Sequence, residues 1–199
     1  MNQEMDFNRF IDKAMDYSSY IELIHSLHQK EQSTSFSTDL DLFHYSKLNL
    51  KRMQRIEKTY TIEVDQQQKI VSIGSPVVVL VLTESWCGDA AQVVPMVDKI
   101  CTLNKNLKLK LLLRDQNLEL MDRFLTLGSR SIPKILFVDP LKNKLIDSWG
   151  ARPDGAKQLI IDYKEQHGVL DTQAKTDLQK WYNKDKGRQI VEELVGKLL

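Results

Sequence analysis

The sequence predicts an α/β fold: a central mixed sheet flanked by helices, with further helices at both ends. Three observations carry that expectation. Val77–Leu82 is an unbroken, largely β-branched apolar run, the mark of a strand covered on both faces. A second apolar run, Leu107–Leu113, follows a stretch in which Val93, Val97, Ile100 and Leu103 recur at helical spacing. A third, Ile135–Val138, leads through the turn-forming Asp139–Lys144 to a hairpin partner at Leu145–Trp149. Two strands joined by a helix imply a parallel pair with a right-handed crossover, and the hairpin adds an antiparallel edge.

The remaining segments read as helix. Phe7, Phe10, Ile11, Ala14, Tyr17, Ile21 and Ile24 keep one apolar face, which Ser33-Thr34-Ser35 interrupts. A second helix starts near Thr38 as N-cap and carries Leu42, Tyr45, Met53, Ile56 and Tyr60. Val64–Ile73 reads as a short helix ending at Gly74, Leu118–Leu127 as another, and Pro153 opens one that runs to about Gln166. The tail from Asp171 holds two charged amphipathic helices broken near Asp185-Lys186-Gly187. Neither leader helix can bury its face alone. The expected division is a helical extension over 1–74, a core domain over 75–168 and a helical tail over 169–199.

Composition narrows the function classes. With 28 Lys+Arg against 27 Asp+Glu, the net charge of +1 argues against a strong basic field for nucleic acid. Lys99, Lys105, Lys108, Lys110 and Arg114 form a modest basic cluster without interleaved aromatics. The longest apolar run is too short for a bilayer, and Met1–Asp6 has neither a basic nor an apolar export region. Two cysteines exclude a disulfide scaffold and a four-cysteine zinc module, so cytoplasmic residence with reduced thiols is the expectation. No nucleotide loop, Ser-His-Asp pattern or metal cluster is present. His25 and His28 share a helix face without a third ligand, so no cofactor and no metal is expected.

The chemistry concentrates in Thr83-Glu84-Ser85-Trp86-Cys87-Gly88-Asp89-Ala90, which ends the most hydrophobic strand and opens a helix. A thiol at a helix N-terminus faces unpaired N–H groups and the positive end of the dipole, which favour thiolate and lower its pKa below about 8.5. Asp89 and Glu84 act in the opposite sense, and the net shift stays open at this level.

Trp-Cys-Gly after a buried strand resembles the active-site turn of the thioredoxin superfamily. Asp115-Gln116-Asn117 and Arg130-Ser131-Ile132-Pro133-Lys134 resemble its later turn and its cis-proline loop, at fitting spacing over Ser75 to about Gly168. The leader's Asn49-Leu50-Lys51-Arg52-Met53-Gln54-Arg55, together with Trp-Cys-Gly-Asp-Ala, resembles a bacterial branch with a single active-site cysteine. The resemblance implies a thioredoxin-like fold with Ile132-Pro133 cis and lying against Cys87. It also implies that the Ile132 backbone pairs with an extended peptide or thiol substrate, and that Trp86, Ile132 and Pro133 shape the groove.

Two positions depart from that pattern. The second active-site cysteine falls on Ala90, so Cys87 has no neighbour to resolve a mixed disulfide. Cys101 is fourteen residues further, roughly 20 Å along one helix, beyond the ~7 Å that a disulfide allows. The buried acid that many members carry six residues before the nucleophile is Val81 here.

The expected activity is therefore single-cysteine thiol–disulfide exchange at Cys87, with Asp89 tuning the thiol or shuttling a proton. Its partner is a protein or glutathione-like thiol or disulfide, with no nucleic acid and no membrane. The alternative is a module that keeps the groove and binds extended peptides without turnover. A peroxidase ranks behind both, because the usual Thr near the cysteine is missing at the right offset. Arg130 and Arg152 are candidates for a substrate carboxylate, and Trp149 is a candidate groove wall beside Trp86, or a core aromatic.

Overall fold

The computed structural model describes residues 5–199; residues 1–4, the start of the segment read above as lacking an export signal, lie outside them. The leader folds as α1 (Asn8–Ile11), α2 (Tyr17–His28), α3 (Leu40–Thr59) and α4 (Val64–Val71). The continuous periodicity from Phe7 to Ile24 is broken into two helices for two reasons. Met15 exchanges backbone hydrogen bonds with Leu111, at 2.9 and 2.8 Å, and Asp16 caps α2 by accepting from the Ser19 N–H at 2.8 Å. Asp39, not Thr38, caps α3, accepting from the N–H groups of Asp41 and Leu42.

One sheet follows, built from β1 (Val77–Thr83), β2 (Leu107–Leu113), β3 (Lys134–Asp139) and β4 (Lys144–Gly150) in the order β2-β1-β3-β4. β1 and β2 are parallel and joined through α5 (Ala90–Thr102), with Val81 beside Leu111; β3 lies antiparallel to β1 and to β4. The strand alternation then sorts two cores. Val77, Val79, Val81, Phe137 and Trp149 face α3, α5 and the tail, whereas Val78, Leu80, Leu82, Leu136 and Val138 face Phe7, Phe10, Leu120 and Met121. β1 is therefore buried at every position, as its β-branched run requires. β2 is less buried than its sequence suggests. Lys108 is exposed, and the Met15 bridge to Leu111 covers part of this edge.

The helix expected over Leu118–Leu127 is one turn, α6 (Leu118–Met121). Thr126 and Ser129 pair across Leu127 and Gly128, both at positive φ (49° and 76°), a tight turn that a helix cannot contain. After β4 come α7 (Asp154–His167), α8 (Thr172–Asp185) and α9 (Arg188–Gly196). α9 buries Ile190, Val191, Leu194 and Val195 in the first core. Gly187 precedes it at φ 77°, and a Cβ there would stand 2.3 Å from the Met96 methyl, so the tail approaches α5 as closely as a glycine allows. Among the described residues no helix is long and apolar enough to cross a membrane.

Candidate functional site

β1 delivers the chain to the end of the sheet, where residues 84–89 turn into α5. The turn is closed by the Cys87 N–H donating to the Glu84 carbonyl at 3.1 Å and the Ala91 N–H donating to the Cys87 carbonyl at 3.1 Å. α5 begins three residues after the cysteine, and the Ala90 N–H points at Cys87 Sγ at 3.5 Å. The thiol in turn donates to the Ile132 carbonyl at 3.3 Å. The Ile132–Pro133 peptide is cis. Cys87 is half-buried where the two cores meet, in contact with both.

The cis-proline loop is packed tightly from behind. Gly150, at φ 132°, lies so close that a Cβ would meet the Pro133 carbonyl at 2.2 Å. Ile132 and Pro133 are buried, with the Ile132 side chain in the second core, so this loop can offer a ligand its backbone rather than its side chains. Trp86 is half-buried under the Arg114 guanidinium, 4.9 Å from the ring centroid, and its indole N–H has no hydrogen-bond partner among the described residues. Trp149 stands apart from it. It belongs to the first core and donates to Glu193 of α9 at 2.6 Å, which makes it a core aromatic rather than a groove wall.

The leader braces the segment in front of the cysteine. The Ser85 N–H donates to Thr34 Oγ1 at 2.9 Å, Asn49 Nδ2 donates to the Ser85 carbonyl at 2.9 Å, and Ser46 Oγ donates to Ser85 Oγ at 2.7 Å. Arg52 in turn donates to Asn49 Oδ1 at 2.8 Å, fixing its amide. Glu84 is fully buried between the Thr34 hydroxyl and the Asp115 N–H, the latter at 3.0 Å. Burial pushes its carboxyl up to about 7 although both donors pull it down. Glu84 is thus committed to the leader and the turn after β2.

Asp89 is the second buried acid of the site. Its Oδ1 accepts from Tyr182 of α8 at 2.8 Å and its Oδ2 meets Arg152 at 2.8 Å. Burial works against the Arg152 charge, but Asp89 outweighs it and holds the guanidinium above its ordinary value. Burial and the Asp89 charge together push the Tyr182 phenol well up, so it stays a donor. Arg130 is turned away in a two-pronged pair with Asp122, at 2.6 and 2.9 Å.

The sulfur reverses the expectation from helix position alone. Desolvation pushes the Cys87 thiol up to about 12, and the Asp89 charge adds to it. The N–H groups of Ala90 and Asp89 and the Arg152 charge oppose both without prevailing. Cys101, near the C-terminal end of α5, is buried and its thiol is likewise pushed up by burial. No cluster of metal-ligating side chains occurs among the described residues, and His28 is engaged with Ser46 at 2.8 Å.

Sequence reasoning placed Trp86, Cys87, Asp89, Ile132 and Pro133 in one region, and the structure brings them together. It missed Tyr182, Thr34 and the role of Arg152 as the partner of Asp89. Asn49 and Arg52 carried the one available signal, as part of the leader stretch on which the resemblance partly rested.

A family model described as thioredoxin matches residues 35–165. The chain belongs to the thioredoxin family. The match begins inside the leader, at Ser35 directly after Thr34, and ends within α7. Among solved structures, a protein of unknown function from Pseudomonas aeruginosa is similar over 98% of both chains, with a TM-score of 0.65 at 16% identity. An HIV epitope-scaffold is similar over 98% of both chains, with a TM-score of 0.65 at 14% identity. At these identities the likeness is one of fold. No curated protein gives a significant match.

Proposed function

We propose that this thioredoxin-fold protein performs thiol–disulfide exchange through Cys87 alone. The observation that carries the reading is the sulfur's position, between the Ala90 N–H and the Ile132 carbonyl of the cis-proline loop. The Cys87 thiolate attacks one sulfur of a substrate disulfide, the S–S bond breaks, and the departing thiolate takes up the proton that Cys87 released. A second, external thiol, protein-borne or glutathione-like, then attacks the substrate sulfur of the mixed disulfide, forming a new disulfide with it, and Cys87 leaves and takes up that thiol's proton. Ala90 supplies no resolving sulfur, and Cys101 is buried in the core.

Ile132 gives the substrate a way to start the reaction. Its carbonyl holds the resting thiol, so an extended peptide that donates an N–H to that oxygen competes with Cys87 and releases the sulfur. Trp86 and Pro133 flank this position. Asp89 has both carboxylate oxygens occupied, which suits a charge that tunes the thiol and not a proton shuttle.

A second reading, a groove that binds extended peptides without turnover, is favoured by the thiol's elevation to about 12, which leaves it protonated near neutral pH. Incubation with oxidised glutathione separates the two. A single adduct at Cys87, lost in Cys87→Ser and cleared by reduced glutathione, supports exchange. No adduct at neutral pH, together with peptide capture by Cys87→Ser, supports the groove alone.

A further inference from the structure

The geometry points to a second site, a pocket for a medium-length aliphatic carboxylate between α3, α5 and the loop joining α8 to α9. The cavity measures about 330 Å³, within the range of small-molecule sites. Ile56, Met96 and Ile190 form an apolar wall, contributed by three helices that the sequence places far apart. At its mouth stand Arg55 and Lys186. Arg55 donates to Asn183 at 2.9 Å, and neither cation is within ion-pair distance of a carboxylate among the described residues.

Two acids lie nearby, and neither forms an ion pair with Arg55 or Lys186 among the described residues. Asp185 accepts from the Gln189 N–H at 3.3 and 3.4 Å, directed at the start of α9. Burial raises the Tyr60 hydroxyl to about 12, the charges of Glu63 and Asp185 add to it and Arg188 opposes them, so Tyr60 is a neutral donor beside the pocket. An apolar wall beneath two cations and a phenol O–H matches a hydrocarbon tail ending in a carboxylate.

The pocket is separate from the exchange chemistry at Cys87, but Tyr182 belongs to both. Its side chain lines the pocket and its hydroxyl holds Asp89. Occupancy does not require the thiol, so this proposal stands or falls independently of the proposed activity.

Titration calorimetry with decanoate tests it on the full chain. One-to-one saturable binding is expected, unchanged in Cys87→Ser. Decanol should bind about tenfold more weakly, because it cannot use the cations. Lys186 and Thr59 are exposed and substitution there leaves the core intact. Lys186→Glu should weaken decanoate by about tenfold, and Thr59→Trp, which fills the cavity, should abolish binding. Absence of saturable binding, equal affinity for decanol, or undiminished binding to Thr59→Trp overturns the proposal.

Discussion

The Tyr182 hydroxyl donates to the Asp89 carboxylate at 2.8 Å, joining α8 to the residue two places after Cys87 across 93 positions of sequence. The bond is buried and one partner carries a formal charge stabilised from the other side by Arg152, so its loss leaves a desolvated acceptor underfilled. Tyr182→Phe removes the donor and keeps the ring. We expect about 2 kcal/mol lower unfolding free energy in urea, within the range for hydrogen bonds to charged groups. An unchanged midpoint and slope would show that the tail is held by apolar packing alone.

The thiol itself gives the second prediction. In a Cys101→Ser background, iodoacetamide alkylation of Cys87 should have a midpoint above the free-cysteine value of about 8.5, because burial and Asp89 outweigh the N–H groups and Arg152. Asp89→Asn removes the charge that opposes thiolate and leaves Arg152 in place, so the balance shifts towards thiolate. The alkylation rate at pH 7.5 should rise about tenfold, the equivalent of roughly 1.4 kcal/mol. Equal rates in the two proteins would mean that desolvation alone sets the thiol.

Much of this site was legible in the sequence, and the missing parts share a cause. Periodicity identifies which face of an element is buried, and β1 declared both faces by its unbroken run. The Trp86–Asp89 turn and Ile132-Pro133 were found because each is a local pattern. Periodicity does not say which side chain meets which across elements. Glu84 meets Thr34 at a separation of 50 residues, and Arg152 is drawn from a substrate role into the Asp89 pair. The helix boundaries failed for similar reasons. Met15 is claimed by the edge of β2, and the Thr126–Ser129 turn by its own positive-φ residues, both stronger than the local helical pattern.

Glu84 yields a pH prediction whose sign follows from linkage. Its carboxyl keeps its proton up to about pH 7 in the folded chain and releases it near the ordinary value of 4.5 when unfolded. Between those values the folded state binds more protons, so this group's contribution is fully present below about pH 4.5 and is lost as the pH rises through about 7. At about 1.4 kcal/mol per tenfold change in proton affinity, the loss is roughly 3 kcal/mol. Asp115 raises the carboxyl and Arg114 lowers it, and neither is changed in Glu84→Gln. That variant should flatten the fall in stability between pH 4.5 and 7, measured as wild type minus variant in urea. Parallel stability curves for the two proteins would remove Glu84 as the source.

The last prediction concerns how the leader serves the cysteine. Asn49 is buried, donates to the Ser85 carbonyl and accepts from Arg52, so it ties α3 to the backbone two residues ahead of Cys87. Asn49→Ala leaves that carbonyl without its donor and Arg52 without its acceptor. The expected loss of stability is about 1–3 kcal/mol, the penalty for a buried group left unsatisfied. A merely structural role would stop there. If the leader holds the turn, amide exchange at Trp86 and Cys87 should also accelerate selectively, while the amides of β3 keep their protection. Alkylation of Cys87 should quicken in the same variant, because a loosened turn admits water to a sulfur whose elevation comes first from burial. Uniform acceleration of exchange across the sheet would instead assign Asn49 to the stability of the whole domain.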